Sequence, residues 1–199
     1  MQTSPPARMA QVPTAPAPIG DGGAAPLAAR ATVDAGLFRQ AWRGLGSTVA
    51  LIATEQGGTR HAMLATAVTS VSMEPPSLLV CINRTASGHA ALRARGAFSL
   101  GILAAGQHEI GLGIGRAAAA DRFGFGTWQS HVAPGSDLDG LPRLAEAQAT
   151  LFCRTDQITD YGSHAILIAL VEAVVEDGGA RDPLLYCDGR YGRFGGFAA

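Results

Sequence analysis

Large apolar side chains along this chain come mostly in short runs bounded by glycine, proline and polar residues, a pattern that predicts strands more often than helices. Ser47 to Thr54 reads as one strand, closed by the Gly57-Gly58 turn. Ala62 to Ser72 is again extended, Pro75-Pro76 interrupts it, and Ser77 to Ile82 resumes as a buried strand. Further strands are expected at Ala97 to Leu103, Ala147 to Thr155, His164 to Val175 and Leu184 to Cys187, the last leading into Gly189 to Phe194. Helical spacing is confined to three places. Asp34 can cap a short helix whose Leu37, Phe38, Ala41 and Trp42 form a stripe expected to face the core. Ser87-Gly88-His89 opens a second helix running through Leu92, with Gly96 as its stop signal. Gln107 to Ala120 reads as a weak helix loosened by three glycines, and Asp121 to Pro142 as a polar, Gly-rich stretch. Six or seven strands with few helices imply a mainly β fold, a closed or partly closed barrel.

Residues 1–33 hold almost no large apolar side chain and are rich in Pro, Ala and Gly, the composition of a disordered tail. Residues 34–199 then form one domain, long enough to bury a core. Hydrophobic residues make up 47% of the chain and charged residues 16%, with a net charge of −1. That balance argues against a nucleic-acid binder, which carries a basic excess. No apolar run approaches the ~18 residues of a membrane span, and the N-terminus lacks a hydrophobic signal core, so a cytoplasmic protein is expected. Cys81, Cys153 and Cys187 are far apart, in an odd number and in apolar runs, and are read as buried, reduced thiols. The five histidines never fall at metal-ligand spacing, so no metal is expected. The GLGIG run at Gly111 to Gly115 lacks the third glycine and the preceding strand of a dinucleotide loop.

Two stretches carry candidate chemistry. From Ala65 to Arg84, small and hydroxyl side chains stand where a core strand would normally carry large ones. Small side chains let a flat ligand approach the backbone, while Thr66, Thr69, Ser70 and Ser72 add donors. A plain Thr/Ser-rich edge strand would have the same composition. From Asn83 to His89, a strand end delivers Arg84, Thr85 and Ser87 to a helix start, a combination suited to phosphate. Here too a simpler reading stands beside it, a capped helix with Ser87 as N-cap and Arg84 in solvent.

In this order the two stretches resemble the short-chain flavin reductases, the flavin reductase-like, FMN-binding split-barrel family. The most specific part is ATAVTSVSMEPPSLLVCIN, supported downstream by DRFGFGTWQ, YGSHAILIALVEAV and PLLYCDGRYGRF. Within the family the likeness is to reductase components of 4-hydroxyphenylacetate 3-monooxygenase-type two-component systems. The resemblance implies a Greek-key split β-barrel with a few flanking helices, and an NAD(P)H:flavin oxidoreductase that reduces FMN or FAD, with NADH favoured over NADPH. It places Ala65, Thr66 and Ala67 along the isoalloxazine, with Ser47 and Thr48 nearby. Ser70, Val71 and Ser72 would follow the ribityl chain and phosphate, together with Asn83, Arg84 and Ser87. His164 would stand by the nicotinamide or the flavin ring as the catalytic candidate, and Arg190, Tyr191 and Arg193 would close the site. It implies a homodimer that hands reduced flavin by diffusion to a separate monooxygenase. A flavin-binding protein without turnover, or a reductase of a different acceptor, are the rival readings on the same fold. One departure matters: the family often has Asp before the histidine, and this chain has Ser163.

Overall fold

The computed structural model describes residues 32–176 and 182–196, so all but the end of the expected tail lies outside the described residues. Seven antiparallel strands form the main sheet: β2 (Ala50–Gln56), β3 (Thr59–Ala65), β4 (Val68–Met73), β5 (Pro76–Asn83), β6 (Ala97–Ile102), β9 (Ala149–Tyr161) and β10 (His164–Glu176). Their spatial order is β3-β2-β6-β9-β10-β5-β4, so the edge strands β3 and β4 are consecutive in the chain. The sheet curls around one core. Ala50 and Ile52, Met63, Leu78, Val80 and Ile82, Phe98 and Leu100, and Leu167 all meet inside it, which makes the architecture the expected split β-barrel. Register shifts between Ile168/Ala169 and Val171/Ala173 in β10 mark irregularities that strengthen local twist and help the long β9–β10 pair to bend.

Strand β2 shows why some of these runs do not alternate. Ala50 and Ile52 point into the barrel, whereas Leu51 and Ala53, with Val49, pack in a second core with Leu103, Ile114, Leu144 and Leu184. With both faces buried, every position from Ala50 to Thr54 is apolar or satisfied; the Thr54 hydroxyl donates to the Ala97 carbonyl at 2.8 Å. The outer layer comes from helix α3 (His108–Arg116), the β7 (Trp128–Ser130) and β8 (Pro142–Leu144) ribbon, and the hairpin of β11 (Leu184–Cys187) and β12 (Arg190–Arg193). Turns follow backbone chemistry: Gly57 and Gly58 have φ of 59° and 80°, the mirror-image turn that suits a two-residue hairpin.

Several expectations are corrected. The single strand from Ser47 breaks at Val49: β1 (Ser47–Thr48) pairs with β11, and β2 pairs with β3 and β6. The Val49 amide donates to Leu184 and its carbonyl accepts from Leu103, so one residue serves both sheets. The extended run from Ala62 to Ser72 is two strands meeting at Thr66-Ala67. Helix α2 spans His89–Arg95, beginning later and ending at Gly96, whose φ of 66° is the expected left-handed stop. Its N-cap is Gly88, and Ser87 makes no capping bond. GLGIG lies inside α3, where Gly111 and Gly113 let Leu184 and the Phe125 ring come close. The largest correction concerns helix α1 (Ala35–Trp42). Asp34 caps it as expected, yet Leu37, Phe38 and Trp42 are 53%, 55% and 60% exposed. Periodicity specifies an apolar face but not what covers it. Of the cysteines, Cys153 is buried and Cys81 half-buried, while Cys187 is exposed, against expectation.

Candidate active site

The chain crosses from β3 to β4 at Ala65-Thr66-Ala67, where the barrel's two edges come together. The amide of Cys81 donates to the Ala67 carbonyl at 3.0 Å and holds this crossing against β5. A cleft of about 400 Å³ opens over it, lined by Ala65, Thr66, Ala67, Asn83, Ser87, Arg122 and His164 among others. The small side chains of Ala65 and Ala67 leave the backbone accessible there. Asn83 and His164 are register partners across β5 and β10, so their side chains are neighbours by strand pairing. The Asn83 carboxamide oxygen accepts from the amide and hydroxyl of Thr85, at 2.9 and 2.8 Å, which leaves its NH2 as donor.

His164 begins β10 after the Gly162 turn, and its Nδ1 lies 2.9 Å from the Ser163 hydroxyl. The Ser163 hydroxyl is the side-chain partner of the imidazole, and Nε2 carries no bond among the described residues. The cleft also holds a residue to which the sequence assigned no role, Arg122, in a short 3-10 turn at Ala119–Gly124. Its Nη1 donates to the Ala62 carbonyl at 2.7 Å and to the Ser87 hydroxyl at 3.3 Å, and its Nε to Ala117 at 3.4 Å. The guanidinium is fixed from three sides while Nη2 makes no bond among the described residues. The signal available beforehand was a lone arginine within the DRFGFGTWQ motif. Phe123 beside it packs against Trp128, ring centroids 4.3 Å apart and tilted by 50°, and lies under the Arg60 guanidinium at 4.3 Å, which anchors the turn.

The other candidates divide among neighbouring hollows. Ser47, Thr48, Ser70 and Ser72 line a larger, apolar cleft of about 690 Å³ floored by Leu78, Leu100 and Leu151. Tyr191 lies in a recess of about 190 Å³ with Ala65, Thr66 and Tyr186, its ring 5.4 Å from that of Tyr186. Burial raises the Tyr191 phenol above its ordinary value, Tyr186 adds to this and Arg116 partly offsets it, so it remains a protonated donor. A groove of about 580 Å³ runs between α1 and the β11–β12 turn, reaching Ser47, Thr66 and His164. Thr66 lines all four hollows.

Val71, Arg84, Arg190 and Arg193 line none of these. Arg84 turns back to donate to the Gly162 carbonyl at 3.3 Å, Arg193 pairs with Asp182 at 3.3 Å, and Arg190 lies 3.7 Å from Asp188. Thus the cation in the cleft is Arg122, not Arg84. Among the described residues no group of three or more His, Cys, Asp or Glu could hold a metal ion, and no helix is long and apolar enough to cross a membrane.

Comparison with known proteins gives this geometry a context. A model of the flavin reductase like domain family matches residues 42–195. The chain is 41% identical over 165 residues to FMN reductase (NADH) RutF 1 of Methylorubrum extorquens strain PA1, covering 82% of this chain and 78% of that protein. Among solved structures, the NADH:FAD oxidoreductase SgcE6 of Streptomyces globisporus C-1027, in complex with NAD and FAD fragments, superposes with a TM-score of 0.74. It is 26% identical, over 83% of this chain and 96% of that one. BorF, the flavin reductase component of a bacterial two-component tryptophan halogenase, superposes with a TM-score of 0.70 at 27% identity, over 80% of this chain and 98% of that one.

Proposed function

The chain belongs to the flavin reductase like domain family, and from that premise we propose that it reduces FMN with NADH at the Ala65-Thr66-Ala67 cleft. The observation that carries this reading is the cleft itself: a floor of small side chains bounded by the held guanidinium of Arg122 and by His164. A flat ring fits over such a floor, and a phosphate suits a pre-oriented guanidinium. When both nucleotides are bound, hydride passes from C4 of the nicotinamide to N5 of the flavin, so one leaves oxidised and the other reduced.

The residues supply position and charge. Ala65, Thr66 and Ala67 present the surface along which the ring lies. The Asn83 NH2 and the phenol of Tyr191 are donors for its polar edge, where negative charge develops. Arg122 and Ser87 hold the phosphate; the resemblance gave that end of the flavin to Ser87 with Ser70, Ser72, Asn83 and Arg84, and Arg122 takes the place of Arg84. His164, oriented by Ser163, faces the nicotinamide carboxamide or the ring. Ser47, Thr48, Ser70 and Ser72 border the adjoining cleft and define how far a longer flavin extends. FMN is favoured because the 41% identical relative carries it in its name, and FAD is the alternative substrate, as in SgcE6. The reduced flavin leaves for a separate flavin-dependent oxygenase, of the class served by 4-hydroxyphenylacetate-type reductases; the BorF partner, a halogenase, is a relative of that arrangement. The working unit is a homodimer, whose formation would cover apolar rim residues such as Met73 and Val174.

The test is NADH consumption by purified protein, with and without added FMN, FAD or riboflavin. Turnover that rises and saturates with free flavin supports the reading and ranks the flavins. A protein that binds flavin but leaves both NADH and NADPH untouched overturns it in favour of a binding protein. Reduction of tightly bound flavin without turnover of added flavin points to a different acceptor.

A further inference from the structure

Arg122 sits on a turn that has little of its own to hold it. None of the residues from Ala119 to Gly124 is fully buried, and Ala118, at the N-cap, makes no side-chain capping bond. Of the three bonds the Arg122 guanidinium makes, only the one to the Ala62 carbonyl is short, at 2.7 Å; those to Ser87 and Ala117 are 3.3 and 3.4 Å. Where the guanidinium points is therefore set largely by where the backbone of the turn lies, and the next residue, Phe123, carries the contacts that fix it.

Two side chains from outside the turn meet the Phe123 ring. One is Trp128, whose indole N–H also donates to the Phe125 carbonyl at 2.9 Å and so ties the far end of the turn. The other is Arg60 of β3, whose guanidinium carbon lies 4.3 Å from the ring centroid, within cation–π range. Residues 60 and 62 share a face of β3, and that face carries Ala62 into the outer core on which Phe123 also packs. Strand β3 thus grips the turn twice, through the Ala62 carbonyl on Arg122 and through the Arg60 side chain on Phe123. Arg60 has no competing engagement: its register partner Glu55 accepts from the Gly58 amide, and Arg60 itself makes no side-chain hydrogen bond or ion pair among the described residues. It lines none of the hollows described above, so it does not touch the flavin as placed.

We infer that Arg60 is a positioning residue for the phosphate end of the flavin cleft: lying on Phe123, it fixes the turn that aims the Arg122 guanidinium, and so makes the site prefer phosphorylated flavins to riboflavin. The inference rests on the flavin reductase reading and on the assignment of Arg122 to the phosphate, and adds how that arginine is held on target. A cation over the ring restrains Phe123, and Phe123 restrains the backbone of the residue before it, so Arg60 acts on the ligand only through Arg122.

The readout is the ratio of kcat/KM for FMN to that for riboflavin, followed by NADH consumption; a general folding defect lowers both rates and leaves the ratio in place. Arg60→Ala should lower the ratio about threefold, through the FMN KM and with kcat unchanged. Arg60→Lys, which keeps a cation over the ring, should recover most of the loss, and Arg60→Gln should not. Phe123→Leu, which keeps Arg60 but removes the ring, should lower the ratio as Arg60→Ala does. In the double variant Arg60→Ala/Arg122→Ala the ratio should equal that of Arg122→Ala alone, because a residue acting only through Arg122 then has nothing left to position. A ratio unchanged in Arg60→Ala, where Arg122→Ala lowers it, overturns the inference and leaves the phosphate assignment standing. A loss that persists at full size in the Arg122→Ala background gives Arg60 its own effect on the flavin and overturns the inference too. A ratio unchanged in Arg122→Ala itself removes the phosphate assignment beneath it, and failure of the wild-type protein to consume NADH with any flavin removes the reductase reading.

Discussion

Replacing Arg122 by Ala isolates the contribution of phosphate to flavin selection. In the wild-type cleft the guanidinium is held by the carbonyls of Ala62 and Ala117 and by the Ser87 hydroxyl, so little side-chain freedom remains to be lost when a phosphate binds. A charge-assisted hydrogen bond contributes about 1.5–3 kcal/mol. Arg122 is half-buried, so water screens part of that, and the lower end of the range applies. About 1.5–2 kcal/mol corresponds to a rise in KM for FMN of roughly 10- to 30-fold. Riboflavin has the same ring and no phosphate, so its KM should not move. The assay is the ratio of kcat/KM for FMN to that for riboflavin, measured by NADH consumption in wild type, Arg122→Ala and Arg122→Lys. The ratio should fall about tenfold or more in the alanine variant and less in the lysine variant, which keeps the charge but loses the planar fork. Because riboflavin turnover is read in the same protein, a general folding defect would lower both rates and leave the ratio unchanged. Equal losses with the two flavins would refute the assignment of Arg122 to the phosphate.

Ser163→Ala removes the 2.9 Å contact to His164 Nδ1 and should lower kcat/KM about fivefold, the equivalent of one ordinary hydrogen bond; an unchanged value would show that the hydroxyl does not orient the ring. Gly113→Val would drive a Cβ into the Phe125 ring, and should cost about 1–3 kcal/mol in urea unfolding, with wild-type stability counting against this close approach. Alkylation followed by mass spectrometry should modify exposed Cys187 first and Cys153 only on unfolding. Burial, with a smaller contribution from Glu172, pushes the Cys153 thiol up to about 12. Since the folded value is raised above the unfolded one, the stability linked to this thiol is fully present below the ordinary thiol value. It declines as pH climbs from there toward 12, and a thermal-melt series that stays flat over that alkaline range would contradict the burial.

The sequence by itself determined the elements whose causes are local. Gly57-Gly58 and Gly96 mark a turn and a helix stop because their backbone conformations suit glycine, and Asp34 caps α1 through its own neighbouring amides. That the small residues from Ala65 to Ala67 line a cleft fits the family likeness, whereas composition alone also allowed a plain edge strand. Only the tertiary structure decided which partners those elements meet. Val49 divides one apparent strand into two because Leu184 and Leu103, far along the chain, take its amide and carbonyl. The apolar stripe of α1 stays largely exposed because a helical period encodes a face and not its neighbour. Arg84 and Arg122 are equally cationic in sequence; one bonds the Gly162 carbonyl and the other enters the cleft because Ala62 and Ser87 receive it there. Charge and size are properties of the residue, whereas the direction in which a long side chain spends them is set by acceptors brought close only when the barrel forms.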